Sequence, residues 1–248
     1  MNPYESQKLL AEYLLFHYGT EEEILGTLPG PREALNFASR SVLELIDTDS
    51  VPAGAKALDV GCAVGRSTLE LARFCDSALG LDYSKSFITA AQRLQTEGTH
   101  PYESIVEGEI TSLRTAHLPA NLPRQTVKFE VGDATNLPLD LGQFDILFAG
   151  NLICRLPAPL RFLNRLPDLV KPNGQLLLTT PLTWLEDYTP KQNWLGARKD
   201  GPRSFDALQQ ILSPHFELQL KKDLPFLIRE HERKFQYTIA LGSRWVRR

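Results

Sequence analysis

This sequence predicts an α/β fold, an open and mostly parallel sheet flanked by helices, and three observations predict it. Short apolar runs alternate with helical patterns from residue 56 onward, and such alternation builds parallel sheets. The first run, Lys56-Ala57-Leu58-Asp59-Val60, ends in the turn Gly61-Cys62-Ala63-Val64-Gly65, and a helical pattern follows at once. Two glycines four apart let main chain pass close to a ligand, where a Cβ would clash. The helix after them aims free N–H groups over the turn, which marks a nucleotide-type site at the carboxyl end of a first strand. Lastly, the chain closes on two long strand patterns, 216–222 and 235–242. That hairpin adds an antiparallel edge.

The elements follow in chain order. Residues 4–18 read as an amphipathic helix with Leu9, Leu10, Tyr13, Leu14 and His17 on one broad face, and Gly19 ends it. A second helix is expected over 32–46, with Pro31 at its start. Both precede the sheet, so residues 1–50 are expected to form a helical cap and lid beside the site, and residues 51–248 the sheet domain. Strands are expected at 56–60, 78–82, 126–131, 143–151, 175–180, 216–222 and 235–242. Helices are expected at 67–75, 84–94, 159–169 and 204–212, with Ser84 a good N-cap for the second. Residues 96–124 form an insert, and a connection this long is more often functional or accessory than idle. Residues 171–174 read as a turn. A long loop at 181–201 holds Trp184, Tyr188 and Trp194, of which the tryptophans read as packing. Residues 223–234 are expected to join the last two strands as a loop, with Arg229, Glu230 and His231 near the rim of the site.

Composition narrows the class. A chain of 248 residues suits one α/β domain with additions, and 42% hydrophobic content supplies its core. A net charge of −3 leaves no general basic field for nucleic acid. Three cysteines, Cys62, Cys75 and Cys154, suggest a reducing compartment and not a disulfide frame, so a cytoplasmic location is expected. No signal peptide is read, no apolar stretch reaches the length of a membrane span, and no Cys or His cluster suggests a metal.

The turn excludes two nucleotide motifs. Gly61, Ala63 and Val64 do not fit the dinucleotide pattern G-x-G-x-x-G, and no G-x-x-x-x-G-K-[ST] occurs. The segment instead resembles motif I of the class I S-adenosylmethionine (SAM) methyltransferases, with Asp59, Gly61, Ala63 and Gly65 in the places of an acid-x-G-x-x-x-G pattern. Asp82 ends the second strand 21 residues after Gly61, where an acid accepts ribose hydroxyls; capping the next helix is its alternative role. Gly132-Asp133-Ala134 resembles the family's adenine site, in which the carboxylate takes the exocyclic amine and the next residue packs on the ring. An Asx turn is the alternative there. The resemblance runs over roughly residues 50–240. It implies a Rossmann-like class I methyltransferase fold, a mostly parallel seven-stranded sheet with an antiparallel edge, and SAM as cofactor. It implies cofactor contacts from Asp59, Gly61, Cys62, Gly65, Asp82, Tyr83, Asp133, Ala134 and Asn151.

A closer resemblance rests on Pro3-Tyr4-Glu5, Glu12-Tyr13-Leu14-Leu15-Phe16-His17-Tyr18-Gly19, Glu107-Gly108-Glu109-Ile110, Asn151-Leu152-Ile153-Cys154-Arg155-Leu156 and the run from Thr180 to Pro190. These segments look like the thiohistidine N1-methyltransferase of ovothiol biosynthesis, which in many organisms is the C-terminal domain of an iron-dependent sulfoxide synthase. The resemblance implies a stand-alone enzyme that methylates an imidazole nitrogen of 5-thiohistidine (4-mercaptohistidine) to give ovothiol A, with that synthase as an expected partner. Displacement at an activated sulfonium asks the protein mainly for alignment and desolvation. An acceptor on the other ring nitrogen fixes the tautomer, and the amino acid end needs an acid and an Arg or Lys. Candidates for catalysis are Asn151, Tyr188 and His17; candidates for the acceptor are Tyr4, Glu5, Tyr18, Arg155, Asp187 and Tyr188. Each has a plainer alternative: a cap for Asn151, a surface cation for Arg155, a core histidine for His17, a mobile terminus for Tyr4 and Glu5. Rival readings are methylation of another small acceptor, a non-catalytic SAM-binding protein, and a nicotinamide-dependent oxidoreductase that the missing third glycine disfavours.

Overall fold

The computed structural model describes residues 3–248. Seven strands make the main sheet: β1 (Lys56–Val60), β2 (Ser77–Asp82), β5 (Val127–Val131), β6 (Phe144–Gly150), β7 (Val170–Thr180), β8 (Phe216–His231) and β9 (Lys234–Arg247). Their order is β5-β2-β1-β6-β7-β9-β8. The first five run parallel, and β9 and β8 are antiparallel. A separate two-stranded sheet pairs β3 (Thr99–Glu107) with β4 (Ile110–His117).

The central strands are apolar without interruption because both of their faces are covered. Successive residues enter opposite cores, as the two-residue strand period requires. Leu58, Leu147 and Leu176 pack with Phe162, Leu166 and Leu208 of α6 (Pro159–Leu169) and α7 (Ser204–Leu212). Ala57, Ile146 and Leu177 pack on the other side with Val42, Leu69 and Ala91 of α3 (Phe37–Leu43), α4 (Arg66–Leu71) and α5 (Lys85–Glu97). A third cluster joins Leu10, Leu14 and Tyr18 of α1 (Gln7–Tyr18) to Phe87 of α5, Tyr102 of β3 and Leu227 of β8. α1 thus lies against the end of the sheet where β1 and β2 finish.

Four expectations are corrected. The helix expected at 32–46 is broken: a 3₁₀ turn at Arg32–Ala34 precedes α3, and between them Asn36 has φ 56°, a left-handed conformation no helix interior accepts. The helix expected at 67–75 is only α4, ending at Leu71. The turn at 171–174 lies inside β7, where Asn173 is left-handed at φ 64° and the β6–β7 register slips. Residues 223–234 are not a connecting loop. β8 and β9 stay paired out to His231 and Lys234, and Pro225 is tolerated because β8 is the edge strand. Arg229 therefore sits far along the hairpin. Its Nη1 donates to the carbonyls of Glu23 (2.7 Å) and Ile24 (3.1 Å) at the end of α2 (Glu21–Ile24). The insert at 96–124 is the β3–β4 hairpin, packed on α1.

Gly65 sets the approach of three elements. Its φ is 89°, and a Cβ there would meet the Phe129 ring at 2.6 Å and the Ala91 Cβ at 3.0 Å. Gly65→Ala combines left-handed strain with overpacking and is expected to destabilise the fold by about 2–4 kcal/mol. Urea denaturation checks this; an unchanged midpoint would mean that β5 and α5 yield freely.

Candidate active site

The glycine turn is held from beneath. Gly61 (φ 79°), Ala63 (φ 48°) and Gly65 are all left-handed. Gly61 N–H and Cys62 N–H both donate to the Leu81 carbonyl, at 2.8 and 3.0 Å, which fastens the turn to the end of β2. Asp59 is fully buried, and its Oδ2 accepts from Ser67 Oγ (2.6 Å) and Thr68 Oγ1 (2.7 Å), tying α4 to β1. Its Oδ1 is buried with no partner among the described residues. Burial pushes the Asp59 carboxyl up to about 7 against the pull of the two hydroxyls. Cys62 is wholly buried in the core, so its main chain, not its thiol, is what it offers a ligand.

Two acids stand at the next strand ends. Asp82 Oδ2 accepts from Ala63 N–H and Oδ1 from Ser84 N–H, both at 2.9 Å. Burial raises its pKa and those two N–H groups draw it back. Ser84 Oγ accepts from Phe87 N–H (3.1 Å) and caps α5, so capping falls to Ser84 and bracing the turn to Asp82. Asp133 does form the Asx turn: its Oδ1 accepts from Thr135 N–H and Oγ1, both at 2.8 Å, and Oδ2 has no bond to the described residues. Ala134 is buried beside it. Asn151, left-handed at φ 52°, follows β6. Its N–H donates to the Thr179 carbonyl (2.9 Å), and its Oδ1 accepts from Thr179 Oγ1 (3.0 Å). Nδ2 then has no bond to the described residues. A glycine turn with a carboxylate at each neighbouring strand end supplies acceptors for ribose hydroxyls and for an exocyclic amine, the groups that adenosine of SAM presents.

A second cluster gathers just after β6. Arg155 Nη1 donates to the carbonyls of Cys154 (3.1 Å) and Thr183 (2.9 Å), and its guanidinium lies 4.9 Å over the Tyr188 ring. No carboxylate pairs with Arg155 among the described residues. The Tyr4 ring lies 6.1 Å from Tyr188, 6.1 Å from Tyr13 and 5.8 Å from Phe87. Tyr13 in turn is 4.8 Å from Phe87 and 5.8 Å from His17. Tyr4 is hydrogen bonded to Tyr188 and Tyr13. Burial pushes the Tyr13 phenol up to about 12, so it is a donor at neutral pH. His17 has a buried Nδ1 with no partner among the described residues. Burial, with the Arg66 charge, drives it down to about 3, so its ring is neutral.

Of the expected acceptor residues, Tyr4, Tyr188 and Arg155 converge, with His17 at the margin. Three others lie elsewhere. Tyr18 donates its hydroxyl to the Val64 carbonyl (2.8 Å) and braces the glycine turn. The Glu5 carboxylate binds the start of α5. Asp187 is exposed and takes no part in the contacts that join Tyr188 to Arg155 and Tyr4. Tyr83 is 64% exposed beside Asp82, with no ring neighbour among the described residues. Tyr13 and Phe87 were missed as site residues. Their signal was present, since Tyr13 and His17 are one turn apart on the face otherwise filled by leucines.

Asp82→Ala removes both braces and is expected to weaken SAM binding by about 1–3 kcal/mol, read by calorimetry; unchanged affinity would remove Asp82 from the cofactor site. For His17, the unfolded ring takes a proton near its ordinary 6.5 but the folded ring only near 3. Stability is therefore whole above about pH 6.5 and falls as pH drops from there toward 3. His17→Phe is expected to lose less of its urea midpoint than the native chain between about pH 7.5 and about pH 5. Equal losses would contradict the buried, neutral ring.

Residues 58–178 match the family described as "Methyltransferase domain". A ubiquinone biosynthesis O-methyltransferase from Xanthomonas axonopodis pv. citri is 25% identical over 152 residues, 61% of this chain and 53% of that protein. The chain thus spans about half the length of the curated relatives it matches. Among solved structures, a SAM-dependent methyltransferase from Methanosarcina mazei superposes with a TM-score of 0.52 at 18% identity, covering 80% of this chain and 94% of that one. The magnesium protoporphyrin IX methyltransferase of Synechocystis, solved with bound S-adenosylhomocysteine (SAH), gives 0.50 at 16% identity, covering 85% and 82%. Both show the fold. The family match runs across the strands that carry the glycine turn and both acids, so residues 58–178 form a SAM-dependent methyltransferase domain, and SAM is its cofactor.

Proposed function

We propose that the chain moves a methyl group from SAM to an imidazole nitrogen of 5-thiohistidine, giving ovothiol A and SAH. The observation that carries this reading is Arg155, an acid-free guanidinium set over Tyr188 in an aromatic-walled cluster beside the end of β6. It suits a small, flat acceptor that bears a carboxylate. The segments similar to the thiohistidine methyltransferases include Tyr4, Arg155 and Tyr188, which supports the same acceptor.

When bound, SAM supplies a methyl carbon activated by its sulfonium. Asp82 would hold the ribose and Asp133 with Ala134 the adenine, while Tyr83 is free to cover the outer edge. Arg155 binds the acceptor carboxylate, and the rings of Tyr188, Tyr4 and Tyr13 hold the imidazole flat. The ring nitrogen forms its bond to the methyl carbon as the carbon–sulfur bond breaks toward sulfur, and the proton leaves from the other ring nitrogen. His17, neutral and one helical turn from Tyr13, offers its Nδ1 as an acceptor for the N–H of the other ring nitrogen and so fixes the tautomer, the proton passing on to water, and Asn151 Nδ2 orients donor or ring. The iron-dependent sulfoxide synthase is the proposed supplier of the substrate. A second reading, O-methylation of a phenol, is favoured by the similarity to ubiquinone O-methyltransferases and by the same aromatic walls.

The test is a mass-resolved assay of the purified chain with SAM and 5-thiohistidine, with histidine and a catechol as controls. A methyl gain on thiohistidine alone, with SAH formed, supports the reading; a gain on the catechol alone replaces it with the second. Arg155→Ala is expected to lower kcat/KM for thiohistidine about 10- to 100-fold, the loss of one charge-assisted hydrogen bond. SAM affinity should stay nearly intact. If SAM affinity collapses, Arg155 belongs to the cofactor site.

A further inference from the structure

The short turn at Pro3–Glu5 is bound to the first turn of α5 by four hydrogen bonds. Glu5 Oε1 accepts from Lys85 N–H (2.8 Å), and Glu5 Oε2 accepts from Ser86 N–H (3.2 Å) and Ser86 Oγ (2.7 Å). Ser84 Oγ donates to the Tyr4 carbonyl (3.0 Å). A carboxylate here satisfies N–H groups that an isolated helix start leaves unpaired. The contacts continue inward, because Ser84 N–H is bound to Asp82 and Asp82 to Ala63 N–H. One chain of hydrogen bonds therefore runs from the Tyr4 carbonyl through Ser84 and Asp82 to the glycine turn, and Glu5 pins the same strap beside it.

The turn is covered in this state. Cys62, Ala63 and Val64 are buried, and Tyr18 of α1 binds Val64 from above. A ligand the size of SAM reaches them only if part of the cover lifts. α1 is anchored by Leu10, Leu14 and Leu15 in an apolar cluster and is costly to move. The strap at 3–5 is held instead at an exposed carboxylate, whose bonds exchange easily with water. It also carries Tyr4, which touches Phe87, Tyr13 and Tyr188, so its release loosens the acceptor side as well.

We propose that Glu5 is a positioning residue for the cofactor: it latches the strap onto α5 beside the ribose acid, and release of that latch governs exchange of SAM and SAH. The reading needs the SAM site but no particular methyl acceptor.

The experiment is stopped-flow binding of SAH to the full chain as native protein, Glu5→Ala and Ser86→Ala, with hydrogen exchange at the amides of residues 85 and 86. With the open state a minor population in the native chain, Glu5→Ala is expected to raise association and dissociation rates together, by about tenfold. The dissociation constant should move less than about threefold, since both rates share the one gate. Protection of the two amides is lost, and Ser86→Ala shifts both rates in the same direction by less. Unchanged rates overturn the proposal. So does a faster dissociation with unchanged association, which would make Glu5 a simple stabiliser of the bound state.

Discussion

The turn between β1 and α4 is the constraint on which the rest depends. Three of its five residues, Gly61, Ala63 and Gly65, hold left-handed backbone, which is unfavourable for Ala63 and is sustained only by what surrounds it. Two N–H groups fixed on the Leu81 carbonyl and a third on Asp82 do this. The Phe129 ring, packed where a Cβ of Gly65 would stand, closes the space behind. The parallel pairing of β1 with β2 brings Asp82 into reach of Ala63. Site and sheet are therefore one structure, and the ligand-facing shape of the turn is set before any ligand binds.

Much of this was legible in the sequence because its signals are local. The run from Lys56 to Gly65 contains strand, turn and helix start within a few residues, and the acids at 82 and 133 end strands whose apolar pattern is plain. What failed to read was single-residue backbone conformation and long-range contact. Asn36 interrupts a helical pattern through its own backbone conformation, which composition does not reveal. Asp223 and Pro225 look like loop residues, yet an edge strand tolerates them, and Leu224, Phe226 and Leu227 are buried there. Glu5 and Tyr18 were sound candidates by type, but each forms its bonds with a segment roughly 50 or more residues away in sequence, and which partner it meets depends on how α1 lies.

The electrostatics divide the site into two kinds of ground. On the cofactor side, carboxylates are buried against N–H and hydroxyl donors, and Asp59 and Asp82 are both raised by burial. Around Tyr188 the groups are aromatic and neutral except for Arg155, with Tyr13 held protonated and His17 held uncharged. Keeping His17 neutral in an apolar row adds no second positive charge beside Arg155. The proposed acceptor rests on this single guanidinium among rings, since an acceptor lacking an anionic group would leave Arg155 unpaired.

A crystal structure with SAH bound would test the two-sided site most directly. The arrangement predicts ribose hydroxyls on Asp82, the adenine amine on Asp133, and the SAH sulfur facing Tyr13, Tyr188 and Asn151 across the gap from Arg155. Adenosine bound away from the Gly61–Gly65 turn, or a sulfur turned away from the Arg155–Tyr188 pair, would contradict it.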